Sequence, residues 1–548
     1  MAEVTAQGNP RVLQARARAV SGLQDETPSA VHNDTPLRLS RECLLCIFCV
    51  YVFLSGPLYF NWSPLAEMWL ASGSFREACD PGELDSSKPE TEPKCQEEEI
   101  AVQGFFVITV MCDMCFSLLS GFLLDSVGPK VTAVIGSTAL TISWIVNGIS
   151  RHLLTAHASI MLMSASLSMA FLPCLIIANL FPNARNTVIG LLTCFRYLSG
   201  TVPIVLKTVF LGNRSVEDTR SAAYTYGLLC VGSCVFMAAC FFPSKKWQRI
   251  RALPCPRESG TPAPEEASLQ SAHRTNTPND RIISDTEITL TRRQSFSRWC
   301  RDSLATCLGA PSRTIDSLDA ANLRCDLVRS EERGTTDARV LSWNDWREFF
   351  FEASSCVFVC MCLFETMLLI GEIFFQTAGR RLIPLAYKAT EVINILAALP
   401  VPLIGFLADR RGITASMCVV NVIELLALIF TIIPEFPTIG ACQYLASSFM
   451  AVASPFLVTQ IYCYVFQSFQ EAHTGKLIGL ACFIVAVPMI AVLSMVKAGF
   501  HRGFFDMLLA CIVMLVVSLL LLGVIAILRV RRATTVLSSI HSEDPLHE

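Results

Sequence analysis

Long, nearly uncharged apolar runs interrupt this chain, and none shows the two-residue alternation of a half-buried strand. They fall at residues 43–60, 100–124, 131–149, 158–180, 187–211 and 224–242, then at 350–376, 389–408, 414–433, 438–466, 475–497 and 505–528. Each is at least as long as the roughly 17 residues a helix needs to cross a hydrocarbon core. Lipid offers no partner for a bare peptide group, so such runs must satisfy their hydrogen bonds internally. The pattern predicts an all-α membrane protein of twelve transmembrane helices. Residues 243–346 are rich in Ser, Thr, Pro, Arg and Glu and lack apolar periodicity, which predicts a disordered cytoplasmic loop dividing the helices six and six. The expected organisation is a tail over 1–42, a six-helix bundle over 43–242, the loop, a second bundle over 347–528 and a tail over 529–548.

Composition agrees with a membrane location. The 548 residues are 52% hydrophobic and only 16% charged, too little charge for a soluble surface of this size. The net charge is −3 and the basic residues are scattered, so no nucleic-acid partner is expected. Most of the 24 cysteines sit inside apolar runs without metal-ligand spacing, so neither a metal nor another cofactor is expected. Arginines gather before the first run, in the central loop and after the last, placing both termini in the cytoplasm. The polar leader lacks a cleavable signal peptide, and the first span is expected to act as its own signal.

That orientation puts the acidic stretch with Cys79 and Cys95 outside, where a disulfide can persist, and does the same for the Asn213-Arg214-Ser215 glycosylation sequon. The loop holding Arg380, Arg381 and Lys388 also falls outside, against the charge bias; its arginines can cap the preceding helix or face a substrate mouth. Ser295, after Arg292-Arg293-Gln294, has the form of a kinase site. Trp343 and Trp346 suit the headgroup level. In the first span Ser55-Gly56-Pro57 must kink or unwind the helix, because proline brings no amide.

Two turns repeat at corresponding places in the halves. Gly121-Phe122-Leu123-Leu124-Asp125-Ser126-Val127-Gly128-Pro129-Lys130 joins the second and third spans, and Gly405-Phe406-Leu407-Ala408-Asp409-Arg410-Arg411-Gly412 joins the eighth and ninth. The glycines permit close packing, and the aspartates can accept from free amides at the next helix start. Lys130 or Arg411 is the expected neutralising cation. Such paired turns in a duplicated chain are what an alternating transport fold would carry. With the six-plus-six pattern and the long middle loop, they resemble the major facilitator superfamily over roughly residues 40–530. Pro129-Lys130 departs from the arginine-rich cluster common there, which implies a thinner charge network.

A narrower similarity rests on Asn61-Trp62-Ser63-Pro64-Leu65, the Cys79 and Cys95-Gln96 loop, Phe181-Pro182-Asn183-Ala184-Arg185 before Ile189-Gly190-Leu191, and Gly475-Lys476-Leu477-Ile478-Gly479-Leu480. These stretches resemble the apicomplexan amino-acid transporters, relatives of the large-neutral-amino-acid facilitators. The resemblance implies uptake of an amino acid across a parasite plasma membrane, without enzymatic chemistry.

A zwitterionic substrate needs a donor for its carboxylate and acceptors or aromatic faces for its ammonium. Arg196, near the centre of the fifth span, is the candidate for the carboxylate, or else a buried partner of Asp113 or of an acid in the other half, whereas snorkelling can relieve Lys207 near the outer end of that span. Glu365 and Glu372 share a face of the seventh span; Glu365 would meet a cation, or act as a proton-carrying or paired acid. Asp113 and Glu372 are coupling candidates, and Glu424 suits packing or gating. Asn394 and Gln460 are further polar candidates, with Tyr197, Tyr462 and Phe456 as walls. Mid-membrane acids outnumber bases, which tilts the expected substrate toward arginine or lysine, drawn inward by the membrane potential. A neutral or aromatic amino-acid facilitator or exchanger is the alternative, and a transporter-like nutrient sensor another. The protein is expected to work as a monomer.

Overall fold

The computed structural model describes residues 35–73, 75–80, 82, 85, 87–149, 153–213, 224–246, 343–433, 440–469 and 471–542. Ser295 and nearly all of the central loop lie outside them. Ten helices among the described residues are long and apolar enough to cross a membrane, and two sharply bent pairs bring the number to twelve.

The first bent pair is α1 (Arg41–Leu54) and α2 (Trp62–Ser72), related by 68° across the expected break. Pro57 cannot continue the ladder, and the carbonyl of Leu54 instead receives the Tyr226 hydroxyl at 3.0 Å. The remaining helices of the first half are α3 (Gln96–Ser126), α4 (Pro129–Ile149), α5 (Leu153–Phe171), α6 (Arg185–Leu198), α7 (Thr201–Asn213) and α8 (Gly232–Phe241). A 3-10 segment over Leu172–Leu180 extends α5, and a π-helical turn over Gly227–Val231 leads into α8.

The second half begins with α9 (Trp343–Ala353) and α10 (Cys356–Leu382). The second bent pair follows, α11 (Tyr387–Leu396) and α12 (Val401–Arg411), at 52°. Here the sequence suggested one straight span over 389–408; Pro400 and Pro402 remove amides and turn it. Then come α13 (Ile413–Ile432), α14 (Ala441–Ser468), α15 (Thr474–Ala486), α16 (Ile490–Arg502) and α17 (Phe505–Ser542), the last continuing well past residue 528.

The halves meet chiefly where α3 packs on α15 and α6 on α12. Glycine makes both crossings possible. A methyl group on Gly121 would lie 2.0 Å from the Gly475 carbonyl oxygen, and one on Gly405 would lie 2.5 Å from that of Asn186. Each Gly/Asp turn then ends on a glycine in the left-handed region, Gly128 with φ 92° and Gly412 with φ 86°. The amphipathic α9 lies across the first crossing, with Trp346 5.6 Å from the Phe122 ring and the Lys476 ammonium 5.3 Å over the Trp346 ring. Its Phe350 and Phe351 are exposed, in keeping with a helix at the membrane surface.

Gly121→Val should lower the stability of the detergent-solubilised protein by about 1–3 kcal/mol, because the helices must separate to admit the side chain. Gly82→Ala, where nothing lies within 4 Å, should leave the melting temperature unchanged. Equal melting curves for the two variants would refute the close crossing.

Candidate functional site

In the first half the polar centre is an ion pair. Arg196 on α6 and Asp113 on α3 are both buried, with Nη2 3.3 Å from Oδ2. Asp113 also accepts hydrogen bonds from the Tyr59 hydroxyl and, at 2.6 Å, from Ser168 Oγ. The guanidinium lies 4.2 Å from the Phe171 ring centroid and 5.3 Å from that of Phe60. Of the two sequence readings of Arg196, the structure shows the buried pair with Asp113, which engages few of the five donors of the guanidinium.

Aromatic walls and polar groups carry this centre to the second half. Phe60 stacks on Tyr197 with centroids 3.8 Å apart, and the Tyr197 hydroxyl donates to the Ser454 carbonyl on α14 at 3.0 Å. Tyr462 packs against Phe171 at 5.7 Å, whereas Phe456 is core. Gln376 Nε2 donates to Glu372 at 2.8 Å and to Ser454 Oγ at 3.3 Å.

Glu365, Glu372 and Glu424, the deep acids of the second half, form no ion pair among the described residues. Glu365 on α10 is 0% exposed and accepts from Gln460 Nε2 at 3.0 Å. Its Oε1, the Gln460 Oε1 and both carboxyl oxygens of Glu424 have no hydrogen-bond partner among the described residues. Orphan acceptors at this depth are costly and await a donor. Glu424 itself abuts α10, where a methyl on Gly371 would lie 2.8 Å from its Oε1.

Both faces are bridged. On the face bearing the Cys79–Cys95 disulfide, Lys207 on α7 sits between Glu67 on α2 at 2.9 Å and Glu391 on α11 at 2.7 Å. Ser63 Oγ donates to the same Glu391 oxygen at 3.2 Å, and Asn61 Nδ2 to the Glu391 carbonyl at 2.9 Å. Arg381 reaches Glu99 on α3 at 2.7 Å, so this arginine joins the halves, while Arg380 lies over the Tyr387 ring.

The opposite face is held by the two Gly/Asp turns, but not as their sequence suggested. Asp125 accepts from the amides of Gly475 at 3.1 Å and Lys476 at 2.8 Å, at the start of α15. Asp409 accepts from the amides of Asn186 at 2.9 Å and Thr187 at 2.8 Å, and from Thr187 Oγ1 at 2.6 Å, all in α6. Each aspartate therefore caps a helix of the other half, not the helix that follows it. Lys246, not Lys130, is the cation paired with Asp125, and Arg411 is exposed.

Sequence reasoning missed Tyr59, Ser168, Glu67, Glu391, Lys246, Gln376 and Ser454. Lys207 looked relieved by snorkelling; the signal was its intramembrane charge, which needs a partner. Asn394 lies on α11, not among the central groups described above, and Asn213 is the last residue of α7. A cavity of about 110 Å³ among Tyr59, Trp62, Trp69 and Trp144 lies within the first half, away from the acids of the second.

The chain is 30% identical over 506 residues to the aromatic and large neutral amino acid transporter 5-3 of Toxoplasma gondii, covering 91% of this chain and 87% of that one. It is 25% identical to arginine transporter 1 of Toxoplasma gondii (85% and 84% covered) and 23% identical to cationic amino acid transporter 8 of Plasmodium vivax (82% of each). Among solved structures it is similar in fold to the human organic anion transporter MFSD10, with TM-score 0.53 at 16% identity over 88% of this chain and 100% of that one. The family model of the Major Facilitator Superfamily matches residues 100–493. With ten membrane-length helices and two bent pairs among the described residues, and with this match, the chain belongs to the Major Facilitator Superfamily and is a multi-pass transporter of the amino-acid type, not an enzyme.

Proposed function

We propose that the protein carries amino acids into the cell by alternating access and prefers cationic side chains, arginine or lysine. The observation behind this reading is the pair of orphan acceptors, Glu365 Oε1 and Gln460 Oε1, beside the deep acids Glu372 and Glu424, which like Glu365 form no ion pair among the described residues. An ammonium or guanidinium supplies the missing donors and offsets the charge. Arg196, with donors beyond those Asp113 engages, receives the substrate carboxylate, and Phe60, Phe171 and Tyr197 wall the path. Two similar proteins named for arginine and for cationic amino acids support the same reading.

The Gly/Asp turns latch one face, and the Lys207 and Arg381 bridges latch the other. The disulfide face is outward in this reading, with both termini in the cytoplasm, a plasma-membrane location, glycosylation at Asn213 and a monomeric working unit. A cationic substrate gains about 2.3 kcal/mol per charge per 100 mV of inside-negative potential, so no coupled ion is required. The stacked Phe60 and Tyr197 rings favour a second reading, a neutral or aromatic amino-acid exchanger.

Labelled amino-acid uptake into oocytes, with membrane current recorded alongside, separates the two. Inward current accompanying arginine or lysine alone supports the cationic reading; silent uptake of leucine or tyrosine overturns it. Glu365→Gln should depress cationic uptake far more than any neutral uptake, and an equal loss would assign the residue to packing.

Arg196→Leu should abolish uptake of every substrate and destabilise the protein by about 3–5 kcal/mol, because it strands Asp113 in the core. The double variant Arg196→Leu/Asp113→Leu should recover the melting temperature but not uptake. Recovered uptake would make the pair purely structural.

A further inference from the structure

Lys207 is held as a ligand would be. Its ammonium lies 2.7 Å from Glu391 and 2.9 Å from Glu67, carboxylates supplied by opposite halves of the molecule, with Ser63 Oγ on the same Glu391 oxygen. The two acids carry one more negative charge than Lys207 neutralises, and both lie mostly buried, with side chains 11% exposed. Lys207 itself is 20% exposed on a long flexible stem, so its head can leave into water without unfolding α7. We propose that Glu67 and Glu391 form an outer docking site for the cationic side chain of the substrate, occupied at rest by the chain's own ammonium.

An arriving lysine ammonium or arginine guanidinium exchanges with Lys207 between the two carboxylates. A net-positive solute is favoured over a net-neutral one, whose side chain brings no charge to the pair. Exchange also removes the Lys207–Glu391 bridge between α7 and α11, so capture and loosening of the outer face are one event. Asn61 remains on the Glu391 carbonyl and on that of Gly200 at 3.2 Å, which keeps the acid in position as the lysine departs. The site rests on the cationic reading above but is separate from Glu365.

The test uses full-length protein in oocytes, with rates normalised to surface amount. Citrulline, the neutral isostere of arginine, serves as competitor. Lys207→Met should lower the KM for arginine severalfold, and Glu391→Gln should raise it severalfold, while inhibition by citrulline barely moves. Glu67→Gln, which leaves the Lys207–Glu391 bridge intact, should raise the KM for arginine with little change in maximal rate. If arginine and citrulline shift together in all three variants, the triad is a gate without selectivity and the docking site is refuted. If the wild-type protein carries leucine or tyrosine but no cationic amino acid, the cationic reading and the docking site both fall.

Discussion

Reciprocal capping holds this molecule together. Asp125, from the first half, closes the open amides at the start of α15 in the second; Asp409, from the second half, does the same for α6 in the first. A helix start carries partial positive charge and unsatisfied donors, so a carboxylate there answers both. The contact is available only because Gly121 and Gly475 let the backbones of α3 and α15 touch, and Gly405 does the same beside α6. Side chain, backbone and charge requirements thus coincide at two related points, and the halves cannot slide there by small steps. Packing of this density favours two discrete arrangements over a continuum.

Away from that face the symmetry ends. The first half balances its deep charge internally, with Arg196 matched by Asp113 and the aspartate further engaged by Tyr59 and Ser168. The second half leaves Glu365 half-satisfied and Glu424 without a hydrogen-bond partner among the described residues. The shared framework of helices and turns does not account for this imbalance, which rests on side chains found in one half alone. Imperfect satisfaction is costly in a membrane and is tolerated best where a ligand completes it.

The framework was legible because its signals are local. Apolar run length gave the spans, Pro57 marked the first break, and the two Gly/Asp turns were visible as repeated strings. The partners of those turns were not, since Asp125 and Gly475 lie 350 residues apart and nothing in either string names the other. The bend at Pro400 was missed although Pro400 and Pro402 carry the same local signal as Pro57, the loss of backbone amides within an apolar run. Arg196 and Asp113 could be paired from the cost of lone intramembrane charges, and the pairing is present. The same reasoning applied to Lys207 would have asked for acids, but snorkelling offered an easier account, and Glu391 stands 184 residues away.

The two faces are closed by different physics, and the difference bears on how the cycle runs. The Gly/Asp face uses backbone amides capped by largely shielded carboxylates at glycine-lined crossings, so it releases only when helices part. The disulfide face uses side-chain ion pairs at the edge of water, where Arg381 is half exposed and Lys207 partly so. Pairs of that kind exchange partners cheaply, because solvent and salt substitute for the lost contact. In the proposed cationic reading, a solute bearing its own cation can therefore enter the contest at the disulfide face, whereas at the other face the capping aspartates are held between packed helices. Opening of that second face requires instead that whole helices move apart, because its contacts are made by backbone at glycine-lined crossings.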